Sequence, residues 1–473
     1  MTESYQDAVN WLYGRVNFER LGAGQYTRSD FKLERMARLL DALGNPQNQI
    51  PVVHIAGTKG KGTTASLISE ILIQAGYRTG LYTSPHRIRI EERFVVNREL
   101  ISEENFVRLV NVLVDYVEAL SGPEQALTPT FFELVTAMAW LHFLEQQVDI
   151  AVLEVGLGGR LDSTNLCQPL VTAITSISLD HTRLLGETVE LITREKAGII
   201  KPNIPVVTSV KDPACLDVSR ERAQEHGCNL IRLGNDFDFE LRRSWKPENR
   251  KQQLQITLPA HANDHILDVE FSKPGLVYGE NIALAAAAAT ELSRQGWNIT
   301  SAQIAKASEE VSLPLRFEII HEQPLVIVDA AHNPASIRQL INTVNSSFPA
   351  KRVYWLLSIS RDKDIEGIVR EFQGVETILV SQYLGNVRAS SAEELSCLFE
   401  AQGIQTLAVT NSPEESLAAV QRWAGPDDVI VGTGSLFYAS ELRERILAKG
   451  MSSNHSASGR IDELASHSTS GQI

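Results

Sequence analysis

Short apolar runs alternate with longer amphipathic stretches from about residue 49 to residue 210. The runs IPVVHIAG, YRTGLYTS, VDIAVLEVG, LVTAITSIS and NIPVVTSV are rich in Val, Ile and Leu and lack strict apolar–polar alternation. That is the mark of strands covered on both faces, as in a parallel sheet. Between the first two lies TTASLISEILIQAG, whose apolar residues recur at helical spacing. The alternation predicts an α/β fold with a mostly parallel sheet and helices on both sides. It also puts ligand sites beyond the carboxyl ends of the strands.

The pattern changes over residues 236–271, where QLQITLPA and HILDVEF alternate in polarity and predict an antiparallel hairpin. NIALAAAAATELSRQG then reads as a helix. After LPLR at 313–316, PLVIVDAAHNP opens a second α/β series, continued by VYWLLSIS, VETILVSQY, IQTLAVT and DVIVGTGS. The expected organisation is a first domain over 1–298, a linker over 299–314, a smaller α/β domain over 315–449 and a disordered Ser-rich tail over 450–473.

Composition narrows the function classes. The net charge is −14 with no dense Lys/Arg cluster, which argues against nucleic acid as a partner, because such binding rests on phosphate neutralisation. No apolar run approaches the ~20 residues of a membrane helix, and MTESYQDAVNWLYG has no basic region ahead of an apolar core. The four cysteines form no CxxC pair and read as reduced thiols. A cytoplasmic enzyme of small molecules, working as a monomer without a membrane partner, is the expectation.

Residues 52–67 read VVHIAGTKGKGTTASL. A buried strand runs into Gly57-Thr58-Lys59-Gly60-Lys61-Gly62-Thr63 and then a helix. Glycines let backbone N–H groups turn toward a phosphate, and the helix N-terminus adds a positive dipole end. Lys61 supplies a point charge for β- and γ-phosphates, and Thr63 a nearby hydroxyl. The spacing is not GxxxxGK[ST], and a tight strand–helix turn is the simpler alternative. Two lysines inside the glycine turn favour nucleotide. Glu154 ends the strand of VDIAVLE, where a carboxylate suits magnesium, a hard cation that takes oxygen ligands. Ser84 and His181 fall just past other strand ends. Taken singly, Ser84 also suits a turn, Glu154 a cap and His181 a backbone partner.

GTKGKGT, YTSPH, LEVGLGGRLDSTN, LDHTRLLG, EKAGIIKP, DAAHNP and VIVGTGSL occur in that order. From about Trp11 to Arg445 the chain resembles the folylpolyglutamate synthase/dihydrofolate synthase family of the Mur ligase superfamily. The resemblance implies an N-terminal P-loop ATPase domain, a smaller Rossmann-like C-terminal domain and an active site in the cleft between them. It implies ATP on Thr58, Lys59, Gly60, Lys61, Gly62, Thr63, Asn281, Arg316 and Asp329, with His332 near the phosphates or the incoming L-glutamate. One or two Mg²⁺ ions are expected on Ser84, Glu154 and His181. Lys196, if carbamylated as in the family, would hold the second. A plain lysine touching phosphate is the alternative; burial would favour the neutral amine that reacts with CO₂.

The resemblance assigns the pterin acid, dihydropteroate or a reduced folate, to three segments: Asp30-Phe31-Lys32-Leu33, Thr130-Phe131-Phe132-Glu133 and Leu161-Asp162-Ser163. FFELVTAMAWLHFL has helical periodicity, so one of Phe131 and Phe132 is expected in the core. His86 of TSPH is similar to members that add the first glutamate to dihydropteroate, implying a bifunctional enzyme. Departures are Leu315 where a glycine is usual, Val277-Tyr278-Gly279-Glu280-Asn281 in place of HQxxN, and Lys59 in place of a frequent asparagine. The implied activity is ATP-dependent amide ligation with Lys61, Lys196 and His332 as catalytic candidates. A polyglutamate-only synthase, a superfamily ligase acting on a cell-wall precursor, and a nucleotide-binding switch are the other readings.

Overall fold

The computed structural model describes residues 2–20, 27–120, 127–262, 264–349, 351–385 and 388–449. The 450–473 segment, expected to be disordered, lies outside them. The chain divides into two compact units, Met1–Leu313 and Pro314–Ile473. Among the described residues no helix is long and apolar enough to cross a membrane.

In the first unit the described residues form a sheet of β1 (Val52–Ala56), β2 (Thr79–Tyr82), β3 (Phe94–Val96), β4 (Glu99–Leu100), β5 (Ile150–Glu154), β6 (Val171–Ile174), β7 (Val206–Thr208) and β8 (Leu230–Arg232). Their order is β4-β3-β2-β5-β1-β6-β7-β8. All neighbours run parallel except β3 and β4, an antiparallel edge on β2. The central strands are buried throughout because helices cover both faces. Lys61–Gln74 and Leu276–Arg294 pack on one face, with Ala283 and Ala285–Ala289 fully buried. Glu103–Ala119 and Phe131–Glu145 cover the other. Ile55 is level with Glu154 and Ala56 with Ile174, so the ends of β5, β1 and β6 share one edge.

The expected hairpin is β10 (Gln252–Thr257) with β11 (Ile266–Phe271), and β9 (Asp238–Arg243) joins as a third antiparallel strand. Leu254, Ile256, Val269 and Phe271 pack into the same core as the Ala-rich helix. Residues 299–314 are not an open connection. Ser301–Glu310 is a helix with a Thr300–Gln303 capping box, and Ile304 and Ala307 seat it in the first unit's core.

The second unit has the order β12-β13-β17-β14-β15-β16: β12 (Glu318–Glu322), β13 (Leu325–Val328), β14 (Val353–Leu357), β15 (Ile378–Val380), β16 (Ala408–Val409) and β17 (Val429–Thr433). Among these strands only β12 is antiparallel. Leu315 has φ 58°, which explains why a glycine suits this position. The leucine is fully buried in this unit's core, so packing offsets a strain of ~1–2 kcal/mol. Leu315→Ala loses the packing and keeps the strain, whereas Leu315→Gly relieves it. Glycine is therefore expected to be the milder change by ~1 kcal/mol, the reverse of the usual order. Denaturation midpoints of the two variants measure this; an alanine variant more stable than the glycine one would contradict it.

Candidate active site

Beyond β1, Gly57 and Gly60 adopt φ of 151° and 86°. A Cβ on Gly57 would lie 1.7 Å from Thr175 Oγ1, and one on Gly60 would lie 2.4 Å from Asn281 Oδ1. The turn is held by the loop after β6. Thr175 Oγ1 donates to Lys59 O at 2.7 Å, Thr58 N donates to Ser176 O at 2.7 Å, and Ser178 N donates to Thr58 Oγ1 at 3.1 Å. Gly60 caps the helix Lys61–Gln74 without a side chain. The first-turn N–H groups therefore have no side-chain acceptor from the cap, and such groups suit an anion. Asn281 is buried against this turn and accepts from Thr64 Oγ1 at 3.4 Å. With ATP seated on this turn and Asn281, as the resemblance implies, Gly60→Ala is expected to displace Asn281 and raise the KM for ATP at least ~10-fold, the loss of one or two hydrogen bonds. An unchanged KM in titrations of ATP would contradict that.

Glu154 is 6% exposed at the end of β5 and accepts from Ser84 N at 3.1 Å. A Cβ on Gly62 would stand 3.3 Å from Glu154 Oε2, so the carboxylate lies over the first turn of the phosphate-loop helix. Ser84 thus meets Glu154 through its backbone. His181 caps Thr182–Leu185 with φ 49°; its Nε2 is 3.8 Å from Asp180 Oδ1, and its side chain is 47% exposed. Lys59 Nζ pairs with Asp180 Oδ2 at 3.1 Å, tying the His181 loop to the phosphate loop. Among the described residues no three His, Cys, Asp or Glu side chains gather as a metal cluster. The buried Glu154 carboxylate at the strand end nonetheless suits magnesium, a hard cation that takes oxygen ligands and keeps few from the protein.

Lys196 is 5% exposed and its Nζ donates to Gly57 O at 2.7 Å. Burial, reinforced by Lys61, lowers its pKa to about 7. The preceding residue, Glu195, pairs with Arg28 and Arg160 and fixes this helix end beside the LGGRLDS loop.

The segments expected to hold the pterin acid are themselves tightly bonded. Phe131 is the core member of its pair, fully buried and stacked on Tyr13 at 5.2 Å and 9°. Phe132 is half-buried and lies over Gly156, where a Cβ would meet its Cζ at 2.5 Å. Thr130 caps the helix, and Glu133 takes Thr130 N at 2.7 Å and the buried Arg35 at 3.1 Å. Asp30 caps the Thr27 turn, Phe31 packs on Phe18 at 5.1 Å, and Lys32 and Leu33 begin the helix Leu33–Ala42. Asp162 caps Ser163–Leu166, with Leu161 half-buried just before it. His86 has both ring nitrogens engaged: Arg93 Nε donates to Nδ1 at 2.8 Å, and Nε2 meets Tyr13 Oη at 3.0 Å. Burial and Arg93 keep this imidazole neutral.

In the second unit, Asp329 accepts from Phe317 N and Ala331 N at 2.8 Å each, and the His332 Nδ1 is 2.8 Å from Ala330 O. Arg316 Nη1 donates to Leu315 O at 3.1 Å. Sequence reasoning did not single out Tyr13, Arg35, Arg93, Thr175 or Asp180. Asp180 was adjacent to a candidate and Arg93 lies seven residues from its partner His86, but the others acquire meaning only from partners far along the chain.

Two family models match this sequence: the Mur ligase middle domain over residues 55–289 and the Mur ligase glutamate ligase domain over residues 315–436. A dihydrofolate synthase/folylpolyglutamate synthase of Bacillus subtilis is 34% identical, covering 94% of this chain and all of that one. The folylpolyglutamate synthase of Thermotoga maritima superposes with TM-score 0.80 at 30% identity over 95% of this chain and 98% of that one. That of Mycobacterium tuberculosis, solved with ADP and AMPPCP, gives 0.79 at 28% identity over 94% and 98%.

Proposed function

Because the chain belongs to the folylpolyglutamate synthase/dihydrofolate synthase family of Mur ligases, which are ATP-dependent carbon–nitrogen ligases, we propose that it joins L-glutamate to dihydropteroate and to tetrahydrofolate or its polyglutamates. One observation carries the reading. An uncapped helix N-terminus with Lys61, the buried Glu154 and the near-neutral Lys196 meet at one sheet edge. That edge also carries the YTSPH and LGGRLDS loops.

A carboxylate is a poor acyl donor because its oxygen leaves badly. In the proposed reaction an oxygen of the pterin acid attacks the γ-phosphorus of ATP, ADP departs and an acyl phosphate forms. The amine of glutamate then attacks the acyl carbon and phosphate leaves, giving the amide. Thr58, Lys59, Gly60, Gly62, Thr63 and Asn281 hold the nucleotide, and Lys61 neutralises charge on the transferring group. Glu154, Ser84 and His181 would hold magnesium, which when bound offsets phosphate charge. Carbamylated Lys196 would offer a second carboxylate, formed when the amine nitrogen attacks CO₂ and loses a proton. Resemblance adds Arg316 and Asp329 on the nucleotide and His332 near the glutamate. Phe132 and Asp162 face the pterin acid, while Phe131, Glu133 and His86 shape the wall behind it. The reading includes a monomer and a cytoplasmic location, the location alone supported by four cysteines that are free thiols.

Purified protein with ATP, Mg²⁺ and glutamate, given dihydropteroate and tetrahydrofolate separately, tests this by ADP release. Release with both is expected. Release with tetrahydrofolate alone makes it a polyglutamate-only synthase; release only with UDP-linked cell-wall precursors overturns the folate assignment.

A further inference from the structure

The polar exception in β1 is His54, fully buried between Val53 and Ile55, three residues before Gly57. Its Nε2 is 2.8 Å from Thr164 Oγ1, and Cys167 Sγ is 3.7 Å from its Nδ1. Thr164 Oγ1 in turn donates to Asp162 Oδ1 at 2.6 Å. A hydroxyl has one proton, and this one goes to the carboxylate, so Thr164 accepts from His54. That assigns the imidazole proton to Nε2 and leaves Nδ1 for the Cys167 thiol. Burial makes the ring neutral, with a pKa lowered to about 3. Asp162 also takes Thr164 N at 3.0 Å on Oδ1 and Leu157 N at 2.8 Å on Oδ2. The carboxylate therefore closes the loop from 157 to 164, whose Gly156 shoulder lies against Phe132.

A histidine in the centre of a parallel sheet gives up part of the apolar burial that Val or Leu would contribute there. Its partner is a side chain of the acceptor loop, not a backbone group of the sheet. We propose that His54 and Thr164 are a positioning pair that sets Asp162, and with it the pterin-acid loop, in register with the strand feeding the phosphate loop. The proposal rests on the reading that the Asp162 loop faces the pterin acid. The pair touches neither substrate; it acts through Asp162. Removing it takes the shorter of two hydrogen bonds from Asp162 Oδ1, leaves Thr164 N as that oxygen's remaining donor, and lets the loop drift while the phosphate turn stays held by Thr175 and Ser176.

The test is steady-state kinetics of the full chain with tetrahydrofolate and ATP varied separately, beside thermal midpoints. Thr164→Val keeps the shape and removes the hydroxyl; Thr164→Ser keeps the hydroxyl. Expected is an acceptor KM raised about 10-fold in Thr164→Val, the worth of one hydrogen bond to a charged group, with the KM for ATP within about 2-fold. Thr164→Ser restores the acceptor KM. His54→Leu should behave as Thr164→Val does, and His54→Gln, which retains a donor nitrogen, should recover most of the loss. Equal acceptor KM in the valine and serine variants, or a rise shared by both substrates, overturns the proposal. Asp162→Asn separates the two levels. If it leaves the acceptor KM unchanged, the acceptor reading of the loop falls and the pair's role with it. If it raises that KM while Thr164→Val does not, only the pair's role falls. Should Thr164→Val fail to fold, the His54→Gln and His54→Leu comparison decides.

Discussion

Turnover in Lys61→Ala is expected to fall at least ~100-fold, with the fold intact. Lys61 opens the helix Lys61–Gln74 directly after the left-handed Gly60, at the positive end of the helix dipole. A cation at that point meets charge that grows on the transferring phosphoryl group, and removing one such stabiliser from a catalytic site costs ~2.7–4 kcal/mol. Its side chain is half-buried and contributes little to packing, so the thermal midpoint should stay within a few degrees. Quenched measurement of ADP with saturating ATP reads the loss in turnover. Near-normal turnover would remove Lys61 from the reaction.

Lys196→Met is expected to lower turnover by a similar factor while making the protein more stable at pH 6. The amine's pKa falls from 10.5 to about 7 in the fold, mainly through burial. Between those values the unfolded chain holds the proton and the folded chain does not, so stability rises with pH across the window. Below pH about 7 both states are protonated and the cost of a buried ammonium stands in full, on the order of 4–5 kcal/mol. Methionine fills nearly the same volume without charge but leaves Gly57 O without its donor, a loss of ~1–3 kcal/mol. The variant should gain ~2 kcal/mol at pH 6 and lose that advantage by pH 10. Denaturation midpoints in CO₂-free buffer at both pH values check the sign. A destabilisation equal at the two pH values would mean the native amine carries no burial cost.

The parallel strands were legible because burial on both faces writes long apolar runs, as in VVHIA and IAVLE. The glycine turn was legible because its chemistry is local: three glycines and two lysines within six residues. Edge strands were not. Phe94–Val96 and Glu99–Leu100 are short, Glu318–Glu322 is only partly buried and ends in charged residues, and pairing rather than composition defines them. The partners of Glu133 and His86 were hidden as well, because Arg35 and Tyr13, which engage them, lie far away in sequence. Likewise Leu315 read as a departure from a glycine, and only the backbone shows a left-handed residue whose side chain fills a core. Local motifs carry the chemistry, and the partner of a polar side chain is decided by topology.

The central claim is that this sheet edge makes a carboxylate reactive by moving the γ-phosphoryl group of ATP onto it. Acceptor labelled with ¹⁸O in its terminal carboxylate, turned over with ATP and glutamate, tests that directly by mass analysis of the released phosphate. Transfer of one labelled oxygen into phosphate, alongside ADP, is the predicted result. Unlabelled phosphate, or AMP with pyrophosphate, would contradict it.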